Sequence, residues 1–110
     1  MTERLTPAAA HAALATTDKP FVLLFRHGTL EVEFYKPEGL DLQKSHNRDE
    51  VYVVLAGSGF FVCGGTRQRF EAGDVLFAAA GVEHRFEEFT PDFATWVFFY
   101  GPVGGENPQG

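Results

Sequence analysis

Residues 44–59, KSHNRDEVYVVLAGSG, decide how this chain folds. From Glu50 onward the side chains alternate at period two. Val51, Val53 and Leu55 share one face, and Glu50, Tyr52 and Val54 share the other. Successive side chains of a strand point to opposite faces, so residues 50–55 read as a strand. Asn47-Arg48-Asp49 ahead of it is turn-rich, and Gly57-Ser58-Gly59 behind it is a tight turn. The same alternation of strand and turn continues outward. Residues 60–63 and 66–70 flank Gly64-Gly65 as a hairpin. Gly73-Asp74 turns into residues 75–78, Gly81 turns again before 84–86, and 93–100 is a long apolar strand.

Upstream, residues 21–26 and 29–35 flank His27-Gly28, a two-residue hairpin turn. Leu30, Val32 and Phe34 lie on one side of the second run, and Glu31, Glu33 and Tyr35 on the other, as in a half-buried strand. Pro37-Glu38-Gly39 ends that run. Thr6-Pro7 before AAAHAALA supplies an N-cap and a first helical residue, which predicts a short helix over about residues 7–15. Many short strands and one helix make this an all-β chain, a sandwich or a barrel. The expected organisation is an N-terminal helical arm over 1–20, a β-barrel over 21–100, and a flexible Gly/Pro-rich tail over 101–110.

The 110 residues amount to one domain. A chain of this size buries roughly two-thirds of its unfolded surface, enough for a core without staples. The net charge of −6, without a basic cluster, argues against nucleic acid or an anionic membrane as partner. The single cysteine, Cys63, excludes an internal disulfide and fits a reducing, cytoplasmic setting. It sits in an apolar strand and reads as a buried, inert thiol. No apolar run is long enough for a membrane helix. Pro7 and His11 interrupt the alanine-rich start, which therefore does not read as a secretory signal.

Two imidazoles and one carboxylate, His46, Glu50 and His84, each stand near a turn of a strand-rich chain. Imidazole suits Zn, Fe, Ni and Cu, and two His with one carboxylate is the set used by non-heme Fe(II) oxygenases. His27 reads as a turn residue and His11 as a helix-surface residue. Arg48 and Arg85 read as solvent or salt-bridge residues, with Arg48 a lesser candidate to guard a pocket mouth.

The spacings His46-x3-Glu50-x6-Gly57 and Gly73…Gly81-x2-His84 resemble the two motifs of the cupin superfamily. The resemblance covers about residues 21–100. It implies a small double-stranded β-helix, a jelly-roll barrel, that brings residues 46 and 50 to face residue 84. It also implies a divalent transition metal (Fe, Mn, Ni or Zn) on His46, Glu50 and His84. The chain departs from the pattern at Lys44, where the family has its first histidine, at Ala79 in place of a proline, and at Glu88 in place of an asparagine. Gly39 is also one residue out of register with the opening glycine.

Lys44 leaves three readings. The trio binds metal alone, with open positions for water or substrate. Or the scaffold is a non-catalytic small-molecule-binding module with an altered site. Or metal is lost and Lys44 pairs with Glu50 in a buried ion pair. On the first reading the protein is an enzyme of dioxygenase or isomerase/decarboxylase type. Its ligand is a small organic molecule, and Lys44 and Tyr52 are candidate catalytic residues, for proton transfer or substrate anchoring. Many of the twelve phenylalanines fall in strands and pack the core, and the rest are expected to line a pocket. Trp96, Phe98 and Tyr100 share one face of the last strand, and Val97 and Phe99 the other. A strand apolar on both faces points to core burial or to a partner subunit, hence a homodimer.

Overall fold

The computed structural model describes residues 4–108, so the outer ends of the expected arm and tail, 1–3 and 109–110, lie outside the described residues. Among the described residues one helix, α1 (Pro7–Leu14), precedes eight strands. They are β1 (Phe21–His27), β2 (Leu30–Tyr35), β3 (Asp49–Ala56), β4 (Ser58–Cys63), β5 (Thr66–Glu71), β6 (Val75–Ala78), β7 (His84–Glu87) and β8 (Ala94–Tyr100). A five-stranded antiparallel sheet runs β1-β2-β8-β3-β6, and a three-stranded sheet runs β5-β4-β7. The two sheets enclose a jelly-roll interior filled largely by aromatic rings. Phe86 and Phe93 pack at a tilt with ring centres 4.7 Å apart, Phe70 meets Phe93 at 5.0 Å, and Tyr52 meets Phe86 edge-on at 5.0 Å.

The two faces expected for the central strand β3 hold. Glu50, Tyr52 and Val54 are buried toward the interior, while Val51, Val53 and Leu55 face outward. In β2 both faces are covered. Phe34 packs outward under α1 with Ala10, Leu14 and Trp96. Glu33 and Tyr35, on the polar side of the alternation, point into the barrel. The half-buried strand read from sequence is therefore buried on its apolar face by the helix, and its polar face lines the cavity.

α1 starts as its sequence requires. The Thr6 hydroxyl accepts from the Ala9 amide at 3.1 Å, and proline fills the first turn, where no amide is needed. The first hairpin turns one residue later than read. His27 pairs with Leu30, so the loop is Gly28-Thr29, with Gly28 at φ 61°. Gly57, at φ 86°, is needed for space as well as conformation, since a Cβ there would stand 2.6 Å from the Phe93 Cα. An alanine in its place would combine strain and overpacking, a cost of about 2–4 kcal/mol.

The tail, read as loose, folds back at residues 101–106. The amides of Gly101, Gly104 and Glu106 donate to the Thr29 hydroxyl, the Asn47 carbonyl and the Asp49 carboxylate at 3.1, 2.7 and 2.7 Å. Among the described residues no helix is long and apolar enough to cross a membrane.

Candidate metal centre

The antiparallel sheets place three side chains at one end of the barrel. Glu50 enters from the start of β3, His84 from the start of β7 on the opposite sheet, and His46 from the irregular segment before β3. A backbone bond joins the two motifs, because the Gly81 amide donates to the His46 carbonyl at 2.7 Å. Glu50 is fully buried and His84 is 2% exposed. His46 keeps about a third of its side chain exposed, so the site opens on its side.

His84 Nε2 lies 2.5 Å from Glu50 Oε1, and His46 Nδ1 lies 3.1 Å from Glu50 Oε2. All three potential ligand atoms fall within 4.8 Å of one another. The contacts are close but poorly directed as hydrogen bonds. His46 Nδ1, Glu50 Oε2 and His84 Nε2 are the buried side-chain atoms left without a well-formed partner among the described residues. Buried polar atoms are normally satisfied, and three orphans aimed at one point are what a cation between them requires. The donor set of two imidazoles and a carboxylate fits a divalent transition metal.

The surrounding groups fix those ligands. His84 Nδ1 lies 2.9 Å from the Val82 carbonyl, which can only accept. Nδ1 therefore carries a hydrogen, which leaves Nε2 as the nitrogen that a metal would take on losing its proton. The His46 ring rests edge-on against Phe99 at 5.0 Å. The Tyr52 hydroxyl donates to Glu50 and lies 3.3 Å from Gln43 Oε1. Gln43 in turn donates from its side chain and its backbone to Asp41, at 2.9 and 3.0 Å. Asp41, itself buried, also accepts from the Tyr35 hydroxyl and, at 2.7 Å, from the Phe86 amide. A continuous polar line thus runs from Tyr35 through Asp41, Gln43 and Tyr52 to Glu50.

Electrostatics follow from this packing. Burial would raise the Glu50 carboxyl, but the close approach of His46, His84 and Tyr52 outweighs it and holds the group down at about 2. Burial pulls His84 down, while Glu50, the Val82 carbonyl and Asp41 push it further up, for a net rise. Burial, then the charge of Glu50, drives the Tyr52 phenol well above its ordinary range, so it stays a donor.

A cavity of about 380 Å³ opens beside His46, lined by Glu33, Gln43, Lys44, Ser45, Val97 and Phe99 among others. Lys44 stands on this wall, exposed. Glu50 has His46, His84 and Tyr52 as neighbours, and among the described residues Lys44 makes no ion pair. The Lys44–Glu50 pair of the third reading is therefore not formed, because residue 44 precedes β3 in an irregular segment that leaves its side chain at the surface. Tyr52, expected as a proton donor to a ligand, is 1% exposed and does not line the cavity. Its hydroxyl serves Glu50.

Arg48 does not guard the mouth. It donates to the Thr29 carbonyl at 2.5 Å and pairs with Glu31, holding the site segment to β2. Arg85 pairs with Glu87 at 2.6 Å at the surface, as read. His27 and His11 lie outside the trio, both exposed. Sequence reasoning missed Asp41, Gln43, Glu33 and Asp49. The one signal available was that Glu33 and Tyr35 share a strand face.

The profile of the cupin domain family matches residues 31–100. An uncharacterised protein of Streptomyces coelicolor is 30% identical over 93 residues, 83% of this chain and 89% of that protein. A cupin conserved barrel domain protein from Salinispora arenicola superposes with a TM-score of 0.65 at 17% identity, covering 92% of this chain and 89% of the other. The DMSP lyase DddQ from Ruegeria pomeroyi superposes with a TM-score of 0.63 at 26% identity, over 89% of this chain and 55% of the lyase. Barrel, motif glycines and family profile agree, and the chain belongs to the cupin family.

Proposed function

We propose that this protein is a metal-dependent enzyme acting on a small organic molecule in the cavity beside His46. His46, Glu50 and His84 would hold Fe, Mn, Ni or Zn. The observation that carries the reading is the convergence of three unpartnered ligand atoms at one buried point. The metal would supply a Lewis acid that polarises a coordinated substrate oxygen.

The chain's own residues do the rest. Tyr52 and Gln43 orient Glu50, and the Val82 carbonyl orients His84. Lys44 anchors an anionic group of the substrate on the cavity wall. Glu33, lifted by burial against the opposing charge of His46, is suited to take up and return a proton there. Of the two chemistries open to such a site, oxidative cleavage and non-oxidative elimination, isomerisation or decarboxylation, likeness to a lyase favours the second.

One observation favours a second reading. An exposed lysine stands at the family's first histidine position, so the centre has one protein ligand fewer than the family pattern, as a non-catalytic small-molecule-binding module would. For assembly we propose a homodimer. Val75 and Phe77 of β6 are 66% and 51% exposed, and Val51 pairs across the sheet with both Phe77 and Phe98. A Phe77→Glu variant should turn a dimer into a monomer in light scattering, and a wild type that is already monomeric removes the dimer.

The enzyme reading is tested by metal content in tag-free protein beside His84→Ala. Near-stoichiometric metal, lost in the variant, is the expected result. Activity is then sought with carboxylate and keto-acid panels, with and without dioxygen. No metal in either protein after reconstitution removes the enzyme reading.

A further inference from the structure

A second, larger cavity of about 820 Å³ lies between α1 and residues 36–43. Leu14 forms its helical side, Leu40 and Leu42 its loop side, and Phe21 and Tyr35 its floor. Phe21, Tyr35 and Gln43 also line the cavity beside His46, so the two spaces adjoin at these residues, and the inner one reaches the His46 side of the candidate centre. Leu42 is 78% exposed, Leu40 66% and Phe21 40%. Single exposed apolar residues are ordinary, but three along one concavity that leads inward mark a binding surface.

We infer that this groove takes the apolar chain of an amphipathic carboxylate whose head group lies at His46, Glu50 and His84. The inference rests on the metal reading given above for the head group, but the groove itself does not. Leu14, Phe21, Leu40 and Leu42 give the groove an apolar strip that favours an apolar chain, with His11, Asp18, Lys19, Lys36 and Glu38 on the remaining wall. At its inner end Lys44, Ser45 and His46 line the wall beside Glu33, and Lys44 supplies the cation for a carboxylate head group. A small polar acid would leave the larger cavity unfilled. A wholly apolar molecule would bring nothing to the three orphaned ligand atoms.

The test is calorimetric titration of acetate, hexanoate and decanoate into the full chain, metal-free and loaded with Co(II). Affinity should tighten about fourfold for each methylene that enters the groove, in both forms. Cobalt should add a further gain common to all three acids. A neutral Leu40→Asn/Leu42→Asn variant should flatten the chain-length series while the cobalt form still binds acetate. Both positions are exposed, so folding is not at stake. A cobalt gain with no dependence on chain length overturns the groove, as does a series that the variant leaves intact. A chain-length series without any cobalt gain upholds the groove and overturns the metal reading instead.

Discussion

The Ala80 amide donates to the Asp49 carboxylate at 2.9 Å, tying the loop ahead of His84 to the residue next to Glu50. The other Asp49 oxygen accepts from the Glu106 amide at 2.7 Å. Asp49→Ala should leave two amides without an acceptor and cost about 3 kcal/mol. Metal affinity should fall at least about tenfold, as when groups that orient ligands are removed. Thermal melts and metal titration would check both, and an unchanged affinity would mean that Asp49 holds the tail alone.

Metal-free protein should show a stability maximum between two limits. Glu50, held near 2 against an ordinary 4.5, contributes stability above pH 4.5 that is lost as pH falls toward 2. His84, raised above 6.5, contributes stability below pH 6.5 that is lost as pH rises through its raised value. Melting temperature should therefore peak between about pH 4.5 and 6.5. Metal loading should lift the alkaline side, since the metal takes a neutral imidazole. A metal-free protein that gains stability from pH 6.5 to 8 would contradict the His84–Glu50 contact.

Glu33 should behave in the opposite sense. Its carboxyl is raised, by burial first and against the pull of His46, so the native state binds more protons than the unfolded chain above pH 4.5. Stability is thereby lost as pH rises through that window. Glu33→Gln should raise the melting temperature at pH 7 and have little effect at pH 4. Equal shifts at both values would show that the carboxyl is not burdened by burial.

Tyr52→Phe removes the hydrogen bond that steadies Glu50 and the longer contact with Gln43. Metal affinity should drop about 10- to 100-fold, with a stability loss of about 2 kcal/mol. Competition against a chelator measures the first. An unchanged affinity would detach Tyr52 from the centre.

Glu88 adopts φ 49°, the left-handed region, at the position where the family pattern has asparagine. Side chains other than glycine and asparagine pay about 1–2 kcal/mol there. The Arg67–Glu88 pair at 2.7 Å is exposed and returns less than that. Glu88→Asn should stabilise by about 1 kcal/mol, a rise of roughly 4 °C in Tm. A lower Tm would mean that the Arg67 pair outweighs the backbone strain.

Much of the fold was legible because turns and alternation are local. Gly57, Gly64-Gly65, Gly73 and Gly81 all adopt positive φ, and β3 through β6 fall within a residue or two of their expected bounds. The convergence of His46, Glu50 and His84 was legible because motif spacing fixes it. The orientation of β2 was not. Its period shows two faces but not which one α1 will cover, so Glu33 was not placed in the cavity. The line from Tyr35 to Glu50 was hidden for a related reason. Asp41 and Gln43 lie in an irregular segment, and the path of such a segment depends on bonds it makes with distant strands. Lys44 stayed open between readings because the path of the segment before β3 decides where its side chain points, and that path sets it on the cavity wall with His46.

The larger sheet has its last strand near its middle. β8 lies between β2 and β3, so before it docks that sheet is two separate pieces, β1-β2 and β3-β6, each with an open edge. Such long-range closure is slow to reach, and open edges recruit other chains. While β8 is unfolded, the outer edges of β2 and β3 can pair with a second molecule as readily as with β8. Refolding yield should therefore fall with concentration, and substitutions that weaken β8, more than those that empty the metal site, should send the protein into aggregates.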